Sequence, residues 1–315
     1  MKPERQEQLE ALLNQKYNHR RGVNGERNLI GFGVEIEQAG ISHRDNETLR
    51  EINTLFTGEK RFTHTYDGSI TVVGSEFVSG IMGTEDMENV QEAVRIIRRR
   101  GGRPHESCGI HIHIEGKGFL ENPKALVRLI KIVQRYELHM YHALKADSLT
   151  EGQDRTRMRR RDGSIGWSRP IESALLDRIE ANTKARGAKE VSIEDIREAW
   201  YSGPDGDRRH RKYCRTRYRL LNLHALFYQG TIEFRCFNPT VHAGRIKAFI
   251  QLCQLIACQA LLSKRAVRGK RSFEPSKAHY EVRTWLLKLG AIGDKYKTMR
   301  LHLTKHLEGN ASWHR

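Results

Sequence analysis

Residues 107–115 read SCGIHIHIE, and the alternation inside this stretch sets the reading of the whole chain. On a β-strand successive side chains point to opposite faces, so His111 and His113 share one face while Ile110, Ile112 and Ile114 share the other. Two further stretches repeat the form. GVEIE at 33–37 sets Glu35 and Glu37 against Val34 and Ile36, and GTIEFRCF at 230–237 sets Glu233 and Arg235 against Ile232 and Phe234. Three such strands describe a sheet with one apolar face packed on helices and one face carrying carboxylates, imidazoles and a guanidinium. Alternation alone is common in half-exposed antiparallel sheets. The solvent faces of such sheets, however, are filled mostly with Thr, Lys, Ser and Gln. Carboxylates side by side repel unless a cation lies between them.

Working outward, residues 29–37 and 70–79 read as strands, the second preceded by a turn at Asp67-Gly68-Ser69. Residues 218–226 and 231–237 read as two more, joined by a hairpin through 227–230. A helix starts after Thr84 with Glu85 and Asp86 in its first turn, carries Arg98, Arg99 and Arg100 in its last, and stops at Gly101-Gly102. Asn122-Pro123 opens a long helix. Residues 171–183 and the stretch after Ser192, capped with Asp195, suggest two more. Helices over 243–263, 276–289 and 295–307 close the chain. Strands and helices mix without a strict β-α-β rhythm, so the expected class is α+β with a mainly antiparallel sheet. The expected organisation is one catalytic domain over 1–315, with a polar, Arg-rich helical insert or cover at 147–217. The helices of 241–315 would pack on the sheet.

The charge asks for a partner. Of the 315 residues, 55 are Lys or Arg and 38 are Asp or Glu, a formal charge of +17. The excess is clustered at 155–161 (RTRMRRR), 208–219 (RRHRKYCRTRYR) and 264–271 (KRAVRGKR). Such runs suit nucleic acid or another polyanion, although charge also serves solubility. A hydrophobic share of 38% with seven Pro excludes a disordered chain. No run approaches the ~18 apolar residues of a membrane span, and MKPERQEQLEALL lacks a signal-peptide core. Five cysteines, none in a CxxC pair, point to a reduced, cytoplasmic setting. Trp167, Trp200 and Trp285 read as packing residues, and Cys108 as a small buried one.

With Asp67 and Glu76 added, the polar face holds five acids against two histidines. Oxygen-rich donor sets suit Mg²⁺ or Mn²⁺, whereas Zn²⁺ prefers His and Cys. Such ions beside Arg235 suit phosphoryl transfer, and the absence of GxxxxGK[ST] excludes a P-loop enzyme. Residues alone therefore point to a metal-dependent enzyme handling ATP or another phosphate ester. Removing a carboxylate from this metal face predicts that Glu35→Gln, Glu37→Gln or Glu233→Gln abolishes ATP turnover, while the repulsion it relieves sets the effect on stability. Each would leave the metal-free fold intact or slightly stabilised.

FGVEIE at 32–37, DGSI with EFVS between 67 and 79, CGIHIHI at 108–114, and RYRLLNLHAL with GTIEFRCFNPT between 217 and 240 resemble, in this order, the amidoligase family. That family is a branch of the carboxylate–amine ligases with the glutamine synthetase-like fold. The resemblance implies that Mg-ATP phosphorylates a substrate carboxylate to an acyl phosphate, which an amine substrate then attacks. It implies one metal ion held by Glu35, His111 and Glu233, and a second held by Glu37, Glu76 and Asp67. His113 would face the nucleotide, with Arg219 and Asn222 as further nucleotide or substrate contacts. Arg235 would bind the transferring phosphoryl group, making Arg235, Glu233 and Asp67 the candidate catalytic residues. Two rival readings stand beside this one: a zinc hydrolase built on His111 and His113, and a nucleic-acid-binding protein built on the Arg runs. The readings also combine, as a ligase acting on a polyanionic or nucleic-acid-linked substrate.

Overall fold

The computed structural model describes residues 2–15, 30–145, 167–203, 206 and 209–312. The period-two stretches become neighbours in one sheet. Its strands are β1 (Phe32–Ala39), β2 (Thr63–Thr65), β3 (Gly74–Val78), β4 (Ile110–Glu115), β5 (Leu221–Asn222) and β6 (Thr231–Phe237). Their spatial order is β2-β3-β1-β4-β6-β5, with every neighbouring pair antiparallel. Among the described residues eleven α-helices accompany the sheet. They are α1 (Pro3–Leu13), α2 (Asn46–Asn53), α3 (Met87–Arg99), α4 (Lys117–Leu120), α5 (Pro123–Lys145), α6 (Leu175–Ala185), α7 (Ile193–Tyr201), α8 (His224–Gln229), α9 (Ala243–Leu262), α10 (Ala278–Leu289) and α11 (Lys297–Thr304). The architecture is α+β.

Val34, Ile36, Phe77, Ile110, Ile112, Ile114, Ile232 and Phe234 line the apolar face, none more than 1% exposed. Burying each contributes roughly 1.5–3 kcal/mol. Helix α9 packs across β1 and β4 and is itself surrounded by α1, α3, α5 and α11. A helix enclosed on all sides can be apolar all round. This explains why 243–262, contrary to the reading of the sequence, has the length and hydropathy of a membrane span: 72% of its most apolar window is buried inside the protein.

Local signals place the other helices. The Asp86 carboxylate accepts from the Gly83 N–H at 3.0 Å at the start of α3. At its end Gly102 N–H returns to the Ile97 carbonyl at 2.9 Å. Ser192 and Asp195 form the reciprocal cap of α7, with Asp195 N–H on Ser192 Oγ at 3.2 Å and Ser192 N–H on Asp195 Oδ2 at 2.8 Å. Helices α6 and α7 pack on each other, and α7 also packs on α5. Residue 169 bridges to residue 219, which sets this segment beside β5.

Two expectations are corrected. The segment 218–226 is not a long strand closed by a hairpin; only Leu221–Asn222 pair with β6, and residues 224–229 turn into α8. Asn222 Oδ1 accepts from the N–H groups of His224 and Ala225 at 2.9 and 3.3 Å, which starts the helix, and Gly230 ends it at φ +84°. Strand β3 likewise begins at 74 rather than 70. The Asp67 turn occupies the preceding residues, with Ser69 N–H on Asp67 Oδ1 at 2.7 Å. Gly74 then passes so near β1 that a Cβ would lie 2.3 Å from the Gln38 carbonyl oxygen.

The basic runs meet different ends. Within 264–271, Arg268 pairs with Asp177 and Glu180, Lys270 with the buried Glu137, and Arg271 with Glu281, so this run laces helices together. The run at 155–161 lies outside the described residues. The run at 208–219, described from 209 onward, reaches the polar face of the sheet.

Candidate active site

Register converts the sequence pairs into a cluster. Glu35 lies opposite His111 across β1 and β4, Glu37 opposite Glu76 across β1 and β3, and His113 opposite Glu233 across β4 and β6. Between Ile110, which faces Phe237, and Ile112, which faces Phe234, β6 carries one residue more than β4. This bulge lets Phe234 and Phe237 both reach the apolar side and bends the strand at Arg235. Although the face is polar it is not open to water: Glu37, His111, His113, Glu233 and Arg235 are each no more than 6% exposed. Above them lies a cleft of about 470 Å³ bordered by residues 65–69, Glu106, Ser107, Trp167, Lys212, Tyr213, Arg217 and Tyr218.

Arg235 donates to Glu233, whose second oxygen accepts from Asn222 Nδ2 at 2.5 Å. His113 Nε2 lies 3.1 Å from Glu35 Oε1, and its Nδ1 lies 2.9 Å from Thr231 Oγ1. His111 Nδ1 is 2.8 Å from Glu35 Oε2 and 3.5 Å from Glu233 Oε1, with Nε2 3.8 Å from Glu37 Oε1. A neutral His111 donating from Nδ1 to Glu35 keeps its Nε2 lone pair for a metal, the arrangement in which a carboxylate orients a ligating imidazole.

Burial opposes the Glu35 anion, but His113 and His111 outweigh it and hold the carboxyl well below its ordinary value. Burial likewise opposes ionised Glu233, and Arg235 with the two imidazoles brings it down to about 2. Burial and Arg235 lower His111, whereas Glu35 overcomes burial to raise His113. Glu76 moves the other way: burial first, then Glu35, Glu37, Asp67 and Glu233, push its carboxyl well above the ordinary range.

Among the described residues, three groups of donor atoms each gather within 4.8 Å: Glu35, His113 and Glu233; Glu35, Glu76 and His111; and Glu37, Asp67 and Glu76. The last is the set expected around the second metal ion, whereas the set expected around the first, Glu35, His111 and Glu233, is split between the other two groups, which share Glu35. The donors are mostly oxygens, and Glu76 is held in a field of four other carboxylates. Both features fit a hard divalent cation. His111 and His113 fall in different groups, which separates the imidazoles that a zinc hydrolase would have used together.

Arg219 and Asn222 are drawn into the framework. Arg219 donates to Glu172 and to the Pro170 carbonyl at 3.2 Å, with its guanidinium 5.8 Å from the Trp200 ring centroid. It does not border the cleft. Asn222 connects Glu233 to the start of α8 and borders a smaller hollow of about 40 Å³ beside His113. Sequence reasoning missed Thr231, which orients His113, and Glu172, which holds Arg219; neither stands in a distinctive pattern. It also took Trp167 for a packing residue. Trp167 borders the cleft, while Trp200 and Trp285 are buried and Cys108 is 1% exposed.

A search of curated proteins finds no match to the chain. Residues 54–257, well over half of it, match the family model described as "Putative amidoligase enzyme". The matched span contains Asp67, Glu76, His111, His113, Glu233 and Arg235; Glu35 and Glu37 precede it, and β1 brings them between β3 and β4. The chain belongs to the amidoligase family.

Proposed function

We propose that this protein is an ATP-dependent carboxylate–amine ligase, built on a glutamine synthetase-like sheet, that forms an amide bond through an acyl phosphate. Family membership supports a ligase. The observation that carries the mechanism is the meeting of two carboxylate–imidazole donor groups and one all-carboxylate group on one sheet face, with Glu35, Glu37, Asp67, Glu76, His111 and Arg235 bordering one cleft. Glu35, His111 and Glu233 would hold one Mg²⁺ or Mn²⁺, and Glu37, Glu76 and Asp67 the other. Bound there, the ions supply charge neutralisation for the phosphate oxygens of ATP. The protein's own groups do the rest. Arg235, fixed by Glu233, offsets the charge on the phosphoryl group as it passes to the substrate carboxylate. His113, held by Thr231 and raised toward its protonated form, donates to the nucleotide. Asp67 borders the cleft and accepts the proton that the attacking amine sheds, after which phosphate leaves. The oxygen-dominated donor set and the division of His111 from His113 favour this reading over a zinc hydrolase.

Thermal unfolding tests it, with a non-hydrolysable ATP analogue plus Mg²⁺ or Mn²⁺ set beside Zn²⁺ alone. A ligand that binds only the native state raises the midpoint by mass action. A rise that needs nucleotide and metal together, and is lost in Glu35→Gln, is expected; a rise with Zn²⁺ alone, or none with nucleotide, refutes the ligase.

A further inference from the structure

The family resemblance gives no role to the cleft's upper wall, where the basic run at 208–219 comes to rest. There the Arg217 guanidinium sits 5.3 Å from the Tyr213 ring centroid and 5.8 Å from that of Tyr218. Trp167 meets Tyr218 edge-on at 5.2 Å, and Lys212 Nζ lies 5.7 Å from the Tyr213 ring. The result is a ladder in which aromatic and cationic groups alternate from Tyr218 through Arg217 and Tyr213 to Lys212, with Trp167 against the Tyr218 end. Tyr213 is 66% exposed, a large ring face left to water. Arg217 Nη1 donates to the Lys212 carbonyl at 3.4 Å, while its buried Nε meets no hydrogen-bond partner among the described residues. No carboxylate among the described residues pairs with Lys212 or Arg217, unlike Arg268, Lys270 and Arg271 in the other described basic run. Lys212 and Arg217, with Glu35, border both the main cleft and the small hollow beside His113, so they stand where the two openings meet over the acidic floor.

We propose that Lys212, Tyr213, Arg217, Tyr218 and Trp167 form a recognition wall for a nucleoside phosphate unit, with the base stacked on Tyr213 and the phosphate taken by Arg217 and Lys212. An exposed ring accepts any base through its π face, and a guanidinium and an ammonium that no carboxylate among the described residues neutralises supply the anion contact. The acidic floor alone repels a phosphate, so the wall also gives a nucleotide a side from which to approach. The unit can come from two sources. As the ATP of the proposed reaction, it rests on the ligase reading. As part of a single-stranded nucleic acid that carries the substrate, it does not.

Equilibrium binding to the full chain separates these, with the non-hydrolysable ATP analogue plus Mg²⁺ in one arm and metal-free oligothymidylate in the other. The variants are Tyr213→Ala, Tyr213→Phe and Arg217→Gln, each checked for an unchanged unfolding midpoint. Loss of a stacking ring or of the guanidinium is expected to weaken binding about tenfold in one arm, with Tyr213→Phe staying within about twofold of wild type. Weakening of the nucleotide arm assigns the wall to ATP. Weakening of the oligonucleotide arm assigns it to a nucleic-acid substrate, and if wild type then also fails to bind the nucleotide with Mg²⁺, the ligase reading falls while the wall stands. Affinities in both arms that ignore Tyr213→Ala and Arg217→Gln overturn the proposal, as does a Tyr213→Phe variant as weak as Tyr213→Ala.

Discussion

The two ends of the acidic floor are built on opposite electrostatic plans. Toward β6, Glu233 is clasped by Arg235 and Asn222, and Glu35 by His113 and His111, so each buried anion has a cation or donor beside it. Toward β3, Glu76 faces Glu37 across the strands with Asp67 nearby, and the neighbours that shift it are all carboxylates. At the β6 end each buried anion already has its partner, whereas at the β3 end burial and neighbouring carboxylates oppose ionised Glu76, an opposition that a cation would relieve. A site of this kind holds Arg235, the proposed phosphate-binding group, in place before any ion arrives and would leave an ion to complete the other half.

The largest expected effect tests the β6 end. Arg235→Met leaves Glu233 and its neighbours buried without their guanidinium, and breaking such a pair costs about 3–5 kcal/mol. Urea unfolding of the metal-free protein should show a loss of that size. Glu233→Gln should destabilise too, by less because Asn222 remains. This reverses the stabilisation that repulsion among acids suggests for that residue, since Glu233 answers chiefly to Arg235. An unchanged midpoint in Arg235→Met would erase the contrast between the two ends.

An intermediate effect of opposite sign belongs to Glu76. Its folded carboxyl titrates above the ordinary 4.5, so once the unfolded chain ionises, the folded state is penalised. The penalty is absent below that value and grows with pH up to the folded pKa, by about 1.4 kcal/mol for each unit of displacement. Metal-free Glu76→Gln should therefore be more stable than wild type at pH 7 and equal to it near pH 4. With Mg²⁺ or Mn²⁺ present the order should invert, because the variant has lost a ligand. Thermal scans at the two pH values, with and without metal, read all of this.

The smallest effect compares two threonines. Thr231 Oγ1 lies 2.9 Å from the buried His113, whereas Thr65 Oγ1 reaches Glu76 at 3.4 Å from an exposed position. Thr231→Val should cost about 1 kcal/mol, the ordinary worth of a hydrogen bond with a buried partner. Thr65→Val should leave the unfolding midpoint where it was. Equal losses would mean that the β3 end is as tightly organised as the β6 end.

Much of the floor was legible because it depends on a local rule. Glu35 with Glu37, His111 with His113, and Glu233 with Arg235 had to share faces once their stretches were strands. The capped start of α7 and the Gly-Gly end of α3 were equally local. The hairpin at 227–230 was misread because Asn222 spends its side chain on capping α8, a choice that strand propensity does not show. The wall residues at 212–218 were visible only as charge and as the Arg217-Tyr218 start of a family motif, and Trp167 only as an isolated aromatic, since nothing near them in the chain says which surface they cover.

The amino-acid sequence by itself determined that this protein carries an apolar-backed sheet whose other face is acidic and imidazole-bearing, because side-chain direction along a strand follows from covalent geometry. Only the tertiary structure decided which of those groups meet. The order β2-β3-β1-β4-β6-β5 joins strands far apart in the chain, and the bulge at Arg235 arises from pairing with β4. Electrostatic character is a property of such neighbours: Glu233 beside Arg235 is a settled anion, and Glu76 among four carboxylates is not.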